Sequence, residues 1–177
     1  MRRIAVIVGS KTDLKQCGQG LEYLRQESQA NRVKLIGGIL ASSIHRATEF
    51  TLKKLRELHS SKSPPDVLIT GAGWANHLTG MCDAYLRYTL GDTKIVVVGV
   101  AFEDSDNQNH TLASRLSISE VPKTQVVFSD KLGSFEDQNG FLRACRFAVN
   151  GVLPAIILPE SRPPELLSLE NALKEAL

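Results

Sequence analysis

The feature that most constrains the fold is an apolar run near the start of the chain. Residues 4–8 read IAVIV, and Gly9 and Ser10 follow directly. A short run without polar alternation is typical of a strand buried on both faces, as in a parallel sheet. The turn residues after it predict that the chain leaves the sheet there.

Strand and helix patterns alternate along the rest of the chain. Further strands are predicted over residues 33–40, 66–70, 94–100 and 125–128. Helices are predicted after Asp13 and over residues 47–58, 76–88, 139–149 and 165–177. This alternation predicts an α/β fold, a three-layer α/β/α sandwich around a parallel five-stranded sheet. Ligands on such sheets bind beyond the carboxyl ends of the strands, so the loops after the strands are the informative ones.

The length of 177 residues corresponds to one domain. We expect the α/β domain to cover residues 1–158 and a helical extension, introduced by several prolines, to cover residues 159–177. The last predicted helix carries a stripe of leucines. Such a stripe packs either on its own domain or on a neighbouring subunit, and we predict the neighbouring subunit.

Composition excludes several classes of function. The formal net charge is +2 and aromatic residues make up 6%, so neither bulk charge nor stacking capacity indicates a nucleic-acid partner. No apolar run approaches the roughly 20 residues that a membrane span needs. Cys17, Cys82 and Cys145 are odd in number and widely spaced, which favours reduced, buried thiols over disulfides or a zinc site. The apolar run at the N-terminus is too short for a secretory signal, and we expect a cytoplasmic protein.

The loop after the first strand, residues 9–13, reads GSKTD. Backbone N–H groups at a helix N-terminus, together with the hydroxyls of Ser10 and Thr12, can bind an anion. An ordinary strand-to-helix turn capped by Asp13 explains the same residues. The Walker and dinucleotide-binding glycine spacings are both absent.

The loop after the second strand combines Ser43, His45 and Arg46. A guanidinium binds phosphate oxygens in a bidentate way, and histidine is the side chain suited to proton transfer near neutral pH. These residues indicate an anchored phosphorylated substrate and a proton shuttle. A helix N-terminus with a capping serine and a solvated arginine is the alternative.

The loop after the third strand, residues 71–81, reads GAGWANHLTGM. Small residues allow a ligand to approach the backbone closely. His77 falls in the first turn of the next helix, where a single histidine is more often structural than catalytic. Trp74 is the only tryptophan and is expected either to form a pocket wall or to fill a subunit contact.

Together, these three loops resemble those of the PurE family, the aminoimidazole ribonucleotide carboxylases and mutases of purine synthesis. Residues 9–13 match the family's G-S-x-S-D, residues 43–46 match S-A-H-R, and residues 71–81 match G-A-G-G-A-A-H-L-P-G-M. Residues 116–122 look like a later L-S-I-x-x-M-P segment. The resemblance extends over about residues 4–150, and three motifs in register, each after a strand, are specific although each is weak alone.

The resemblance implies a flavodoxin-like fold, a homo-octamer, and a phosphorylated ribonucleotide substrate handled without a metal or organic cofactor. The bacterial form moves a carboxyl group from the exocyclic nitrogen, N5, to ring carbon C4 of aminoimidazole ribonucleotide, and the animal-type form adds CO₂ directly. The resemblance makes His45 the general acid and base. It places substrate binding at Ser10, Thr12, Asp13, Ser43, Arg46, Gly71, Ala72, Gly73, Trp74, His77 and Leu78, with Asp13 at the ribose and Gly73 at the ring.

Two questions stay open: whether the chain resembles the mutases or the direct carboxylases, and what its differences from the family motifs change. Arg46 and His77 look like the mutase, whereas Asn76 stands where the direct carboxylases carry Asn, and we favour the mutase. Trp74 replaces a family glycine, and the acidic residues 103–110 replace the family's S-G-x-D. Asp104, Asp106 and His110 could in principle bind a metal, but a solvated loop is the expectation. A paralogue acting on another phosphorylated heterocycle, a non-catalytic binding module and a flavin protein are the competing hypotheses.

Overall fold

The computed structural model describes residues 1–176, which form an α/β domain built on a parallel sheet. The strands are β1 (Arg2–Val8), β2 (Val33–Ala41), β3 (Val67–Ala72) and β4 (Val96–Ala101), in the order β2-β1-β3-β4. Every neighbouring pair is parallel. Residues 4–8 are at most 1% exposed, which confirms that the first apolar run is a strand buried on both faces.

Helices cover both faces of this sheet. They are α1 (Gly18–Gln29), α2 (Thr48–His59), α3 (His77–Ala84), α4 (Gln108–Ser119), α5 (Asp137–Asn150) and α6 (Leu169–Ala176). Ile4, Val6 and Val8 pack into one core with residues of α1 and α5. Ala5 and Ile7 point the other way, into a second core with residues of α2, α3 and α4. The predicted three-layer sandwich is therefore confirmed.

The sheet has four strands, and the fifth predicted strand, residues 125–128, contributes only an isolated bridge between Val127 and Val98. The Gly99 N–H donates to the Val127 carbonyl at 2.9 Å, and the Val127 N–H donates to the Val97 carbonyl at 2.9 Å. The pairing then ends because the Phe128 carbonyl turns to accept from the Phe135 N–H. The chain continues into a small hairpin of β5 (Ser129–Asp130) and β6 (Gly133–Ser134).

Several helices differ from the prediction. Residues 13–16 form a separate 3-10 turn before α1, and α4 was not predicted at all. Its large apolar residues Leu112 and Leu116 are 42% and 43% exposed, so its sequence lacks the apolar stripe that marks a surface helix. Asn107 nevertheless caps it, accepting from the Asn109 N–H at 3.0 Å.

The C-terminal helix begins later than predicted, at Leu169, because the Ser168 hydroxyl accepts from the Asn171 N–H as a cap. Leu177, which the predicted helix included, lies outside the described residues. No residue of α6 is buried, and the proposed division at residue 158 stays a prediction. Within residues 1–176, no helix has the length and apolar character required to traverse a bilayer.

The strand order fixes where a ligand can bind. From β1 the chain moves outward to β2 and then returns past β1 to β3. The loops that leave β1 and β3 therefore diverge, which opens a crevice at the carboxyl edge of the sheet. The Gly9 N–H donates to the Gly71 carbonyl at 2.9 Å, so the two strands stay paired up to the floor of that crevice.

Candidate active site

A cleft of about 500 Å³ lies beyond the carboxyl ends of β1, β2 and β3. The three loops singled out in the sequence form its walls. Its lining includes the predicted residues Ser10, Thr12, Asp13, Ser43, His45, Arg46, Ala72, Gly73, Trp74 and Leu78. Gly71 and His77 are not part of the lining. Gly71 is buried in β3, where an added Cβ would come within 2.6 Å of the Phe102 ring.

The loop after β1 presents two hydroxyls to the cleft. The Ser10 and Thr12 hydroxyl oxygens lie 2.6 Å apart, and the Asp13 N–H donates to the Ser10 hydroxyl oxygen at 3.3 Å. An added Cβ on Gly9 would come within 2.9 Å of the Ala72 Cβ. Glycine at this position therefore allows the loops after β1 and β3 to pack against each other.

Asp13 is the only carboxylate among the described residues that line the cleft. Partial burial raises the pKa of its carboxyl group, and hydrogen bonds from Ser10 and the Gly73 backbone oppose that shift. Behind it, burial together with the charge of Asp13 raises the pKa of the Cys17 thiol to about 12. The cleft thus has one carboxylate held in a partly desolvated position.

The loop after β2 is a tight turn that leaves the guanidinium of Arg46 without an ion pair among the described residues. The Ser43 carbonyl accepts from the N–H groups of Arg46 at 3.2 Å and Ala47 at 2.9 Å. The Arg46 side chain is exposed, and no carboxylate within residues 1–176 forms an ion pair with it. Below the turn, the buried hydroxyls of Ser42 and Thr51 lie 2.8 Å apart and anchor it to α2.

His45 and His77 form a hydrogen-bonded pair at the mouth of the cleft. His45 Nε2 lies 2.8 Å from His77 Nδ1, and the two rings meet edge to face with centroids 4.9 Å apart. One ring nitrogen must donate and the other accept, so at least one of the two rings is neutral in this arrangement. The two histidines lie in separate loops of the sequence, and their pairing was not predicted.

A buried polar network holds the loop after β3. Asn76, which is fully buried, accepts from the Thr79 N–H at 3.2 Å and the Thr79 hydroxyl at 3.0 Å. Its amide donates to the Val100 carbonyl at 2.9 Å, and the Thr79 and Thr70 hydroxyls are 2.9 Å apart. Asn76 and Thr79 are both departures from the resembled motif, and together they fasten the start of α3 to β3 and β4.

The acidic segment 103–110 is largely exposed, as expected of a solvated loop, and contacts of its own also order it. Its last residues begin α4, His110 Nδ1 lies 2.6 Å from Asp104 Oδ2, and the His110 ring stacks on Trp74. None of its carboxylates lines the cleft. Within residues 1–176 no group of three or more potential ligand side chains is placed to hold a metal ion.

Comparison with known proteins identifies the family of the chain. The family model described as AIR carboxylase matches residues 3–149. A relative from Saccharolobus solfataricus, named N5-carboxyaminoimidazole ribonucleotide mutase, is 34% identical over 122 residues. The aligned region covers 69% of this chain and 66%, just under two thirds, of that relative. The chain belongs to the AIR carboxylase family, and the resemblance seen in the three loops is confirmed.

Proposed function

We propose that this protein is a purine-synthesis enzyme that moves a carboxyl group from the exocyclic nitrogen, N5, to ring carbon C4 of aminoimidazole ribonucleotide. Membership of the AIR carboxylase family supports this reaction class, and the relative's name supports the mutase within it. The observation that carries the proposal is that one cleft is lined by Arg46, by several hydroxyls and by the His45 imidazole.

The 5′-phosphate binds between the loops after β1 and β2. Ser10, Thr12 and Ser43 supply hydroxyl donors, and Arg46 supplies a guanidinium that no carboxylate of the described chain neutralises. An unpaired arginine beside several hydroxyls suits a phosphate dianion, which accepts charge-assisted hydrogen bonds from both. Asp13 lies further into the cleft, where its carboxylate accepts hydrogen bonds from the ribose hydroxyls.

His45 is the general acid and base of the cycle. As an imidazolium it donates a proton to N5 while the N5–carboxyl bond breaks, which releases CO₂ and leaves aminoimidazole ribonucleotide in the cleft. C4 then attacks the CO₂, and neutral His45 removes the C4 proton. One proton leaves His45 and one returns, so the cycle balances without a cofactor.

His77 positions His45 and exchanges a proton with it. The 2.8 Å contact with His77 Nδ1 occupies Nε2 of His45 and restricts the orientation of its ring. A positioned histidine accelerates proton transfer by about 10²–10⁴-fold. Retention of the released CO₂ beside C4 adds a proximity contribution.

A direct carboxylase is the alternative within the family, and Asn76 was its main sequence mark. Asn76 is fully buried and bonded to Thr79 and Val100, so it has a structural role that does not depend on the subclass. A homo-octamer in the cytoplasm completes the proposal. Light scattering on the purified protein tests the octamer.

The test is turnover of N5-carboxyaminoimidazole ribonucleotide, followed by absorbance as the carboxyl group reaches C4. We expect His45→Asn to lower kcat by about 10²–10⁴-fold with unchanged circular dichroism. His59→Gln, at the opposite end of α2, is the matched control and should turn over like the wild type. Wild-type rates in His45→Asn would refute the acid–base role, and no turnover by a folded wild type would refute the reaction.

A further inference from the structure

Trp74 has a backbone conformation that a bulky residue rarely adopts. Its φ is +57°, in the left-handed region, and its side chain is 64% exposed. Left-handed conformations are unfavourable for residues with a Cβ and persist where the surroundings hold them, often at functional sites. Burial does not account for Trp74, so another interaction must hold the indole.

That interaction is a stack on His110. The two ring centroids lie 3.9 Å apart and the ring planes differ by 18°. Asp104 Oδ2 accepts from His110 Nδ1 at 2.6 Å, and the Asn107 amide lies 3.2 Å from Nε2. With both ring nitrogens bonded, the imidazole is fixed in plane and in tautomer.

Asp104, the acidic partner of His110, is itself held in place. The Asp104 N–H donates to the Thr111 hydroxyl at 2.9 Å, and the hydrogen bond from His110 holds the pKa of the Asp104 carboxyl below its usual range. Thr111 and His110 both lie in the first turn of α4. The indole is therefore supported, through one imidazole and one carboxylate, by a helix.

The indole borders the cleft, whereas His110 does not. One face of Trp74 is covered by the imidazole, and the residue as a whole remains exposed. The phosphate-binding side chains lie on the loops across from it, so a substrate anchored there extends its base toward the indole. A flat aromatic wall suits a flat aromatic ring.

We propose that Trp74 is the stacking surface for the heterocyclic ring of the substrate, and that His110 and Asp104 are positioning residues that hold it in place. The identity of the ring as an aminoimidazole rests on the proposed function. Because none of the three moves a proton in the cycle, they affect KM and leave kcat nearly unchanged.

Trp74 is the only tryptophan, so its fluorescence reports directly on this wall. Titration of the wild type with aminoimidazole ribonucleotide should quench or shift its emission as the heterocycle stacks. Ribose 5-phosphate, which has the phosphate and ribose without the base, should bind with little change in emission. Calorimetry on the same samples measures binding independently of the fluorescence.

The variants are His110→Ala and Asp104→Ala, with Asp106→Ala as a matched control that removes a nearby exposed carboxylate. We expect the first two to raise KM by about 3- to 10-fold at nearly constant kcat and to shift the emission of Trp74 toward that of a solvated indole. Asp106→Ala should change neither quantity. Trp74→Phe, which keeps a flat ring, should have a lower KM than Trp74→Gly.

Two results would overturn the proposal. The first is that calorimetry detects ligand binding to the wild type while the Trp74 emission stays unchanged, and that His110→Ala has a wild-type KM. The other is an emission spectrum of His110→Ala and Asp104→Ala, without ligand, identical to that of the wild type. If aminoimidazole ribonucleotide fails to bind at all, the proposed function fails, and the ligand-free spectra still decide whether His110 and Asp104 position Trp74.

Discussion

The two walls of the cleft use their polar groups in opposite ways. The wall formed by the loops after β1 and β2 leaves donors unused by the protein, with Arg46 exposed and outside every ion pair of the described chain. The wall formed by the loop after β3, which α4 supports from outside the cleft, uses its polar groups internally, in the buried bonds of Asn76 and in the pair of His110 with Asp104. The first wall leaves hydrogen-bond donors available to a ligand, and the second uses its polar groups to hold a fixed shape.

Under the proposed function, each wall corresponds to one part of the substrate. Hydrogen-bond donors without a protein partner suit the phosphate, because its negative charge offsets the cost of desolvating the guanidinium. A rigid wall with an aromatic ring suits the base, and the histidine pair lies between the two walls. Substitutions on one wall at a time distinguish losses of binding, of chemistry and of stability.

The largest effect is expected on the phosphate-binding wall. Arg46→Ala should raise KM by about 10- to 100-fold, because a hydrogen bond to a charged group contributes roughly 1.5–3 kcal/mol. Arg46→Lys should restore only part of the lost affinity, since an ammonium lacks the bidentate fork. Lys11→Ala removes a neighbouring charge that does not line the cleft and should leave KM unchanged. Steady-state kinetics would contradict the assignment if Lys11→Ala and Arg46→Ala behaved alike.

The second effect concerns the rigid wall. Asn76→Ala leaves the Thr79 N–H and the Val100 carbonyl without their buried partner. An unsatisfied buried polar group costs about 1–3 kcal/mol, which lowers Tm by roughly 2–12 °C in a chain of this size. Asn109→Ala, at an exposed position in the first turn of α4, is the control. Equal melting temperatures for Asn76→Ala and the wild type would show that the network does not stabilise the wall.

A third and smaller effect concerns the histidine pair. His77→Ala should lower kcat by about tenfold, well short of the 10²–10⁴-fold expected for loss of the acid–base group itself. KM should hardly change, because His77 does not line the cleft. A large rise in KM at constant kcat would instead make His77 a binding residue.

The smallest effect concerns Asp13. Its replacement is expected to raise Tm, whereas Asn76→Ala is expected to lower it. Burial raises the pKa of this carboxyl group in the folded protein, so its stability contribution is complete below the unfolded pKa and is lost as pH rises through the folded pKa. Asp13→Asn should therefore melt higher than the wild type at neutral pH, by no more than about 2–4 °C, and bind substrate more weakly. The difference in Tm should shrink as pH falls below about 4. A lower Tm at neutral pH would contradict this sign.

The sequence predicted the sheet well because its strands are continuous apolar runs, and it located the three cleft loops because each follows such a run. It missed α4, whose polar sequence buries only Ser114 and Ile118. The fifth strand was overpredicted because apolar content near Val127 reports burial and not the number of backbone pairs.

The contacts that complete the site could not be predicted from spacing. His45 and His77 are 32 residues apart, and they meet because β1, β2 and β3 end at one edge of the sheet. The stack of Trp74 on His110 joins a loop to a helix that was not predicted. The composition of residues 103–110 is typical of a solvated loop. The pairing of Asp104 with His110 could not be predicted from composition, because it depends on where α4 begins.

The central claim is that the carboxyl group moves within the cleft from N5 to C4, and an isotope label tests it most directly. The substrate is prepared with ¹³C in its N5-carboxyl group and converted by the wild-type protein in unlabelled bicarbonate buffer. The account predicts that the label is retained at C4 of the product in nuclear magnetic resonance spectra. A product that carries unlabelled carbon from the buffer would contradict the account and identify a direct carboxylase.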